Sequence, residues 1–580
     1  MEILRFIHNH FIWFMPALVF VSILLPKISQ PTLSSPLDPY YHHAHSLSYI
    51  HGDVFNYPVF SLVNVYQTDL WFLYHLAIAV SVVVAEFFAI NSILANKIFH
   101  AALGAGVFLM IYLTARELAR RVGEWHRTLI PGAPYLHVLS AHTIGVLAVI
   151  FLFLPPLHNM HFMYRILINE RPHLIAIMLT LAVVIALLRR SIWWLVFIGI
   201  LSALFYSFSP IILLPLFVLA GVVALTWKKT EMPRHTPFIA LFTAVLGLGI
   251  GILLHPTSYG YFIAGVGQTT LAILHSLVVW TGWFGSSNVS APVEMFISYQ
   301  SKYNVMLLGS VALALFYLII LVHRKATLHY SRDANIFIMV LVTGLLFTLI
   351  QIIIPRTVEY GLPFFACALA VIIGQLVWPI ITGYHRTFNR RIGEIGDVYR
   401  KLTNEVKELV QDVRLKVALS TIAIIVILGA PVSISMALVY KSDVFDDTRY
   451  AGLASYLATI EDPIVLTEYF HEYPLLIYSD SRLAITSGFD SRFIYFYDPE
   501  LSNAITTFWG HTYLCHIGTC DTDLGVITET LTENGITHIL VLEEDLREKT
   551  LLSKLQSSEQ LTLVYSDEDD PSITLYQINL

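Results

Sequence analysis

Residues 71–90, WFLYHLAIAVSVVVAEFFAI, decide the fold, because they are apolar and long enough to be read as a membrane crossing. Their neighbours argue otherwise. Arg5 precedes a first apolar run, 11–26, and places the N-terminus in the cytoplasm, so that run exits and residues 27–70 lie outside. No small-x-small cleavage site follows it, and it reads as an uncleaved first helix. Beyond residue 90, the run 98–114 leads into Arg116, Arg120, Arg121 and Arg127. If 71–90 crossed, these arginines would be delivered outside, against the excess of basic residues that cytoplasmic loops carry. The conflict disappears if 71–90 lies at the outer surface or re-enters, carrying Glu86 with it.

Working outward from that reading, 98–114 runs inward and 136–154 outward. Then 172–188 runs in to Arg189-Arg190, 191–208 out, 210–227 in to Lys228-Lys229 and 237–254 out. The last spans are 304–322 in to Arg324-Lys325, 336–354 out, 360–382 in to Arg386, Arg390 and Arg391, and 417–439 out. The expectation is a polytopic α-helical membrane protein of about 11 spans. Residues 392–416, apolar at helical spacing with charges between, read as an amphipathic helix on the inner surface. The composition agrees: of 580 residues, 56% are hydrophobic and only 13% charged, which excludes an ordinary soluble protein.

Two units follow, a transmembrane domain over 1–440, with a first external loop over 27–97, and a polar tail over 441–580. The tail reads as an extracytoplasmic α/β domain. Strand-like runs at 464–467, 482–486, 538–542 and 562–565 alternate with helical stretches near 447–460, 498–508, 524–534 and 546–556. Of the three cysteines, Cys367 falls inside an apolar span and reads as packing. Cys515 and Cys520 form either a small disulfide loop or a free pair. No phosphate-binding glycine loop and no basic nucleic-acid footprint occurs, so neither a nucleotide nor a nucleic acid is an expected partner.

The chemistry collects on the outer side. Leaving the first span, the chain reads Pro36-Leu37-Asp38-Pro39-Tyr40-Tyr41-His42-His43-Ala44-His45. A carboxylate there can serve as a general base or a metal ligand, or simply start a surface helix. Asp38, His42 and His45 sit at helical spacing, so a divalent metal such as Mg or Mn could be held, although no fourth ligand is fixed by spacing. His42, His43 and His45 could equally contact a phosphate or headgroup. Glu86, an acid in an apolar stretch, is a second catalytic candidate. Arg165 and the run Asn169-Glu170-Arg171-Pro172-His173 open one span from outside, with Asn169 or Glu170 as a cap. Pro355-Arg356-Thr357-Val358-Glu359-Tyr360 opens another. The guanidinium fork of Arg171 or Arg356 suits a lipid phosphate, and Arg356 is the stronger candidate.

These motifs, in this order, resemble the GT-C superfamily of integral membrane glycosyltransferases. Leu37-Asp38-Pro39-Tyr40-Tyr41-His42 is similar to the start of the first external loop in oligosaccharyltransferase catalytic subunits. Glu170-Arg171-Pro172-His173, Arg356-Thr357-Val358-Glu359-Tyr360, Gly488-Phe489-Asp490 and Tyr497-Asp498-Pro499-Glu500 are similar to motifs of their prokaryotic multi-pass relatives. The tail lacks a Trp-Trp-Asp-Tyr-Gly run, so transfer of a whole oligosaccharide to asparagine is not implied. The resemblance implies juxtamembrane helices in the first loop and a polyprenyl-phosphate-linked sugar as donor. It implies a glycan, lipid or protein as acceptor, Asp38 as the acidic residue, and Arg356, Glu359 and Tyr360 near the lipid phosphate. The rival expectations are a lipid or glycan transporter or flippase, and a non-catalytic membrane assembly subunit.

Overall fold

The computed structural model describes residues 10–28, 71–128, 138–153, 172–206, 304–324, 331–350, 358–379, 450–461, 463–467, 484–485, 524–533, 535–542, 558–567 and 571–579, with isolated positions within 42–50, 157–166 and 242–253. The chain divides into two compact units. One comprises Met1–Ser29, Lys97–Gly251 and Thr270–Lys441, and the other Gln30–Asn96, Ile252–Thr269 and Ser442–Leu580. The second unit thus takes in the first loop as well as the tail.

The first unit is helical. Its elements are α1 (Phe11–Ile28), then, after α2 (Phe72–Phe87) of the second unit, α3 (Ser92–Thr128), α4 (Ala141–Phe153), α5 (His173–Leu188) and α6 (Ile192–Phe205). They continue with α7 (Asn304–Arg324), α8 (Arg332–Ile350) and α9 (Val358–Ile372), which runs on through a π-helical turn, Ile373–Val377. Among the described residues, four helices are long and apolar enough to cross a membrane: Phe11–Ile28, Ser92–Gly123, Arg332–Leu349 and Glu359–Val377. The segments Leu73–Phe87, Ala141–Phe153, His173–Leu188, Ile192–Phe205 and Gly309–Leu321 are shorter apolar helices. The expected spans 210–227 and 417–439, the helix over 392–416 and most of 237–254 lie outside the described residues.

Both ends of α1 meet α3. Lys97 Nζ, near the start of α3, donates to the carbonyl of Lys27, near the end of α1, at 3.0 Å. At the other end of α1, the ring of Phe11 lies 5.8 Å from that of Tyr112, far along α3. The two helices are therefore antiparallel neighbours, and the chain leaves and rejoins the bundle at one end. The expected span 98–114 is the middle of a much longer helix, α3, with 37 residues.

The bundle is tied most closely by α8 and α9, and α9 also packs on α4 and α5. Gly344 lets the two backbones meet, since a Cβ there would sit 2.5 Å from the amide nitrogen of Phe365. Within the π turn, the Gln375 amide donates to the carbonyl of Ala119 on α3, anchoring the end of α9. Cys367 is buried and its thiol donates to the Ile111 carbonyl at 3.4 Å, as packing requires.

The second unit contains α2, then α10 (Ala451–Leu457), α11 (Leu524–Glu533) and five strands: β1 (Val465–Leu466), β2 (Ala484–Ile485), β3 (His538–Leu542), β4 (Leu561–Ser566) and β5 (Ile573–Ile578). The sheet order is β2-β1-β3-β5-β4, parallel across β2, β1 and β3 and antiparallel across β3, β5 and β4. Four strands fall within or across the expected runs, whereas β5 has no counterpart in the sequence reading. Tyr450, Leu453 and Leu457 of the α10 region bury against Val465, Leu540, Leu542, Ile573 and Leu575 of the sheet. The expected helices at 498–508 and 546–556, and Cys515 with Cys520, lie outside the described residues.

Candidate active site

Two of the motifs singled out in the sequence meet at one end of the bundle. His173 is the first residue of α5 and Glu359 the second of α9. His173 Nε2 and Glu359 Oε2 stand 3.5 Å apart, and both residues are 3% exposed. A carboxylate so far from water needs compensating partners to stay, and an imidazole is a cation whenever it takes its second proton. One residue on, the hydroxyls of Tyr360 and Tyr206 share a hydrogen bond of 2.9 Å. Tyr206 follows the last turn of α6, and the Phe347 ring near the end of α8 lies 6.5 Å from that of Tyr360. Two helix starts and two helix ends thus converge on a polar focus in an apolar bundle.

The local chain explains the entry of α5. Asn169 or Glu170 was the expected cap; instead Pro172 stands at the N-cap with no capping side chain, and its carbonyl accepts from Ile175 at 3.1 Å and Ala176 at 3.4 Å. Proline has no amide hydrogen to leave orphaned, so a side-chain cap has less to satisfy there. Arg165, Arg171 and Arg356 lie outside the described residues, and so do Asp38 and His45.

The other polar focus belongs to the second unit. His42 Nδ1 and His75 Nε2 share a hydrogen bond of 2.7 Å, with both residues buried. The His42 ring sits among Trp71, Tyr74 and His75, at centroid distances of 5.6, 5.1 and 5.0 Å. Ser46 Oγ donates to the His42 carbonyl at 2.6 Å. His43, on the next residue, is fully buried, with Nε2 3.2 Å from Ser92 Oγ and Nδ1 without a hydrogen-bond partner among the described residues. Burial pushes the His43 pKa from its ordinary 6.5 down to about 4, so this imidazole is neutral at pH 7.

His75 is absent from the sequence-derived site because it is embedded in an apolar run, where only the acid stood out. A signal existed: Tyr74, His75, Ile78, Val82 and Ala85 form the buried face of α2, and Leu76, Val80, Val83, Val84 and Phe87 the exposed one. An exposed apolar face of this kind suits a helix at a lipid surface. Glu86 is exposed in the last turn of α2, about 16 Å along the axis from His75. The structure does not bring Glu86 to the histidines.

Of the set Asp38, His42 and His45, only His42 is among the described residues, and its Nδ1 is engaged by His75. Among the described residues no group of three or more His, Cys, Asp or Glu could hold a metal ion, and nothing there supports Mg or Mn.

No protein-family model matches the chain, and no characterised protein matches it by sequence. Solved structures do match. The oligosaccharyltransferase AglB of the archaeon Archaeoglobus fulgidus, in complex with an inhibitory peptide and a dolichol-phosphate, aligns with a TM-score of 0.54 at 10% identity, over 99% of this chain and 75% of that one. The A. fulgidus oligosaccharyltransferase tethered to an acceptor peptide containing the NVT sequon gives 0.54 at 10% identity, over 99% and 74%. Its complex with Zn and sulfate gives 0.50 at 11% identity, over 98% and 73%. At this identity the likeness is one of fold. The chain shares the fold of the A. fulgidus oligosaccharyltransferase.

Proposed function

We propose that the protein is a glycosyltransferase that moves a sugar from a polyprenyl-phosphate-linked donor to a glycan, lipid or protein acceptor on the extracytoplasmic face. The observation that carries this reading is the buried meeting of His173 with Glu359. In the sequence Arg171 lies two residues before His173 and Arg356 three before Glu359, and in this reading both arginines serve that focus. The shared fold adds support, because a neighbour of that fold was solved with a dolichol-phosphate and a peptide.

In this reading the N-terminus is cytoplasmic and the tail, over 441–580, is external. The donor's chain stays in the bilayer and its head is presented to the outer end of the bundle. Asp38 takes the proton of the acceptor group, which attacks the sugar's anomeric carbon. The bond from that carbon to the phosphate oxygen breaks with inversion, and the polyprenyl phosphate leaves as an anion. Arg356, with Arg171 and Arg165 beside it, stabilises the charge as it develops, which is where preorganised cations help most. Glu359 holds its helix start against His173, and Tyr360 lies in the same focus. His42, His43 and His45 frame the loop that carries Asp38. Asp38 rather than Glu86 is assigned the acceptor, because Glu86 sits exposed at the far end of α2.

The test is Asp38→Asn in proteoliposomes supplied with a polyprenyl-phosphate sugar. Losing a general base is expected to lower transfer by about 10²–10⁴-fold. Full activity in that variant would remove Asp38 from the mechanism.

A further inference from the structure

At the other end of α5, about 24 Å from His173 along its axis, lies a second charged focus that the transfer reaction does not use. Glu117 of α3 is 7% exposed, and its Oε1 receives Arg121 Nε at 3.3 Å and Arg189 Nε at 3.8 Å. Arg332, opening α8, donates from Nη2 to the carbonyl of Leu187 at 3.1 Å, which ties the start of α8 to the last turn of α5. Arg332 Nε and Asp333 Oδ1 are buried with no hydrogen-bond partner among the described residues. Asp333 lies within electrostatic reach of Arg121, Arg190, Arg332 and Glu117. Four guanidinium groups therefore face two carboxylates, and the focus carries an excess of positive charge.

Two further observations narrow what could balance it. Arg190 has a φ of 58°, in the left-handed region, within a tight turn closed by Ser191 N to Ala186 O at 3.0 Å. Glycine adopts that conformation freely, and other residues are strained in it. Here the turn carries an exposed arginine instead. Trp193 and Trp194 then begin α6 with 81% and 61% of their surface exposed. Paired exposed tryptophans beside an arginine turn mark the depth of lipid headgroups.

We propose that this end of the bundle, built from Arg121, Arg189, Arg190 and Arg332, binds the phosphate of an anionic phospholipid. The guanidinium forks match phosphate geometry, and the tryptophans hold the turn at headgroup level. The lipid becomes a structural counter-ion that joins α3, the α5–α6 turn and α8.

The experiment is native mass spectrometry of the full chain in detergent, titrated separately with phosphatidylglycerol, phosphatidylcholine and inorganic phosphate. Phosphatidylglycerol is expected to be retained more tightly than phosphatidylcholine, with the preference shrinking at high salt. Arg190→Gly should lower the preference about fivefold, the share of one interfacial arginine. Its melting temperature should hold or rise, because the same change relieves the turn. Arg190→Lys should keep most of the preference. Equal retention of the two lipids would overturn the proposal, as would an Arg190→Gly variant that keeps its preference. Inorganic phosphate binding as tightly as phosphatidylglycerol would also overturn it, in favour of a soluble anion.

Discussion

In the bundle, His173 faces a carboxylate, Glu359, at 3.5 Å; beside α2, His42 faces a second imidazole, His75, at 2.7 Å inside a ring of aromatic side chains. Both pairs are buried, and both hold ends or turns of helices in place. They differ in the partner the imidazole meets. An imidazole against a carboxylate can take a second proton and gain an ion pair, whereas an N–H···N bond between imidazoles needs one ring nitrogen kept bare. The bundle focus therefore pairs two ionisable groups of opposite kind. The α2 focus is suited to hold His42 against α2.

The difference can be broken from either side. The largest effect is expected from Glu359→Ala, which removes one partner of a buried pair and should cost about 3–5 kcal/mol in a chemical-denaturation measurement in detergent. A loss below about 1 kcal/mol would mean that the pair is not an electrostatic unit.

The α2 focus should instead respond to acid. His43 has a folded pKa of about 4 against an ordinary 6.5, so below pH 6.5 the unfolded chain binds a proton that the folded chain refuses. No stability is lost on its account above pH 6.5; the loss grows as pH drops from 6.5 to 4 and reaches about 3 kcal/mol towards and below the bottom of that window. Melting temperatures at pH 7.5 and 4.5 measure it, and His43→Phe should flatten the fall. An unchanged fall in that variant would assign acid sensitivity elsewhere.

The smallest effect concerns the turn between α2 and α3. Ala89 has a φ of 58°, and Ile90 N bonds back to Ala85 O at 2.9 Å, so the turn asks for glycine. Ala89→Gly should stabilise the protein by about 0.5–1 kcal/mol, visible as a higher melting temperature. Destabilisation would show that the Ala89 side chain carries packing that outweighs the strain.

How far the sequence could be read follows from which forces act locally. The antiparallel meeting of α1 and α3 was legible because arginines after residue 114 report sidedness without any knowledge of partners. The motif starts at His173 and Glu359 were legible one by one, as polar residues opening apolar helices. Their contact was not, since it joins residues nearly two hundred apart and depends on how α5 packs on α9. Likewise His75 was hidden because its partner, His42, lies 33 residues away. The last strand, Ile573–Ile578, follows the acid-rich connection Asp567-Glu568-Asp569-Asp570-Pro571, which reads as a solvated end. Its pairing with β3 and β4, rather than its own pattern, buries it.

The central claim is transfer, and one measurement separates it from transport. Sealed vesicles containing the protein would receive a polyprenyl phosphate carrying a radiolabelled sugar, together with an acceptor on the extracytoplasmic face. The account predicts that label moves to the acceptor while free polyprenyl phosphate appears in equal amount, and that both signals fall together in Asp38→Asn. Label that crosses the bilayer still attached to its lipid, with no release of polyprenyl phosphate, would contradict it.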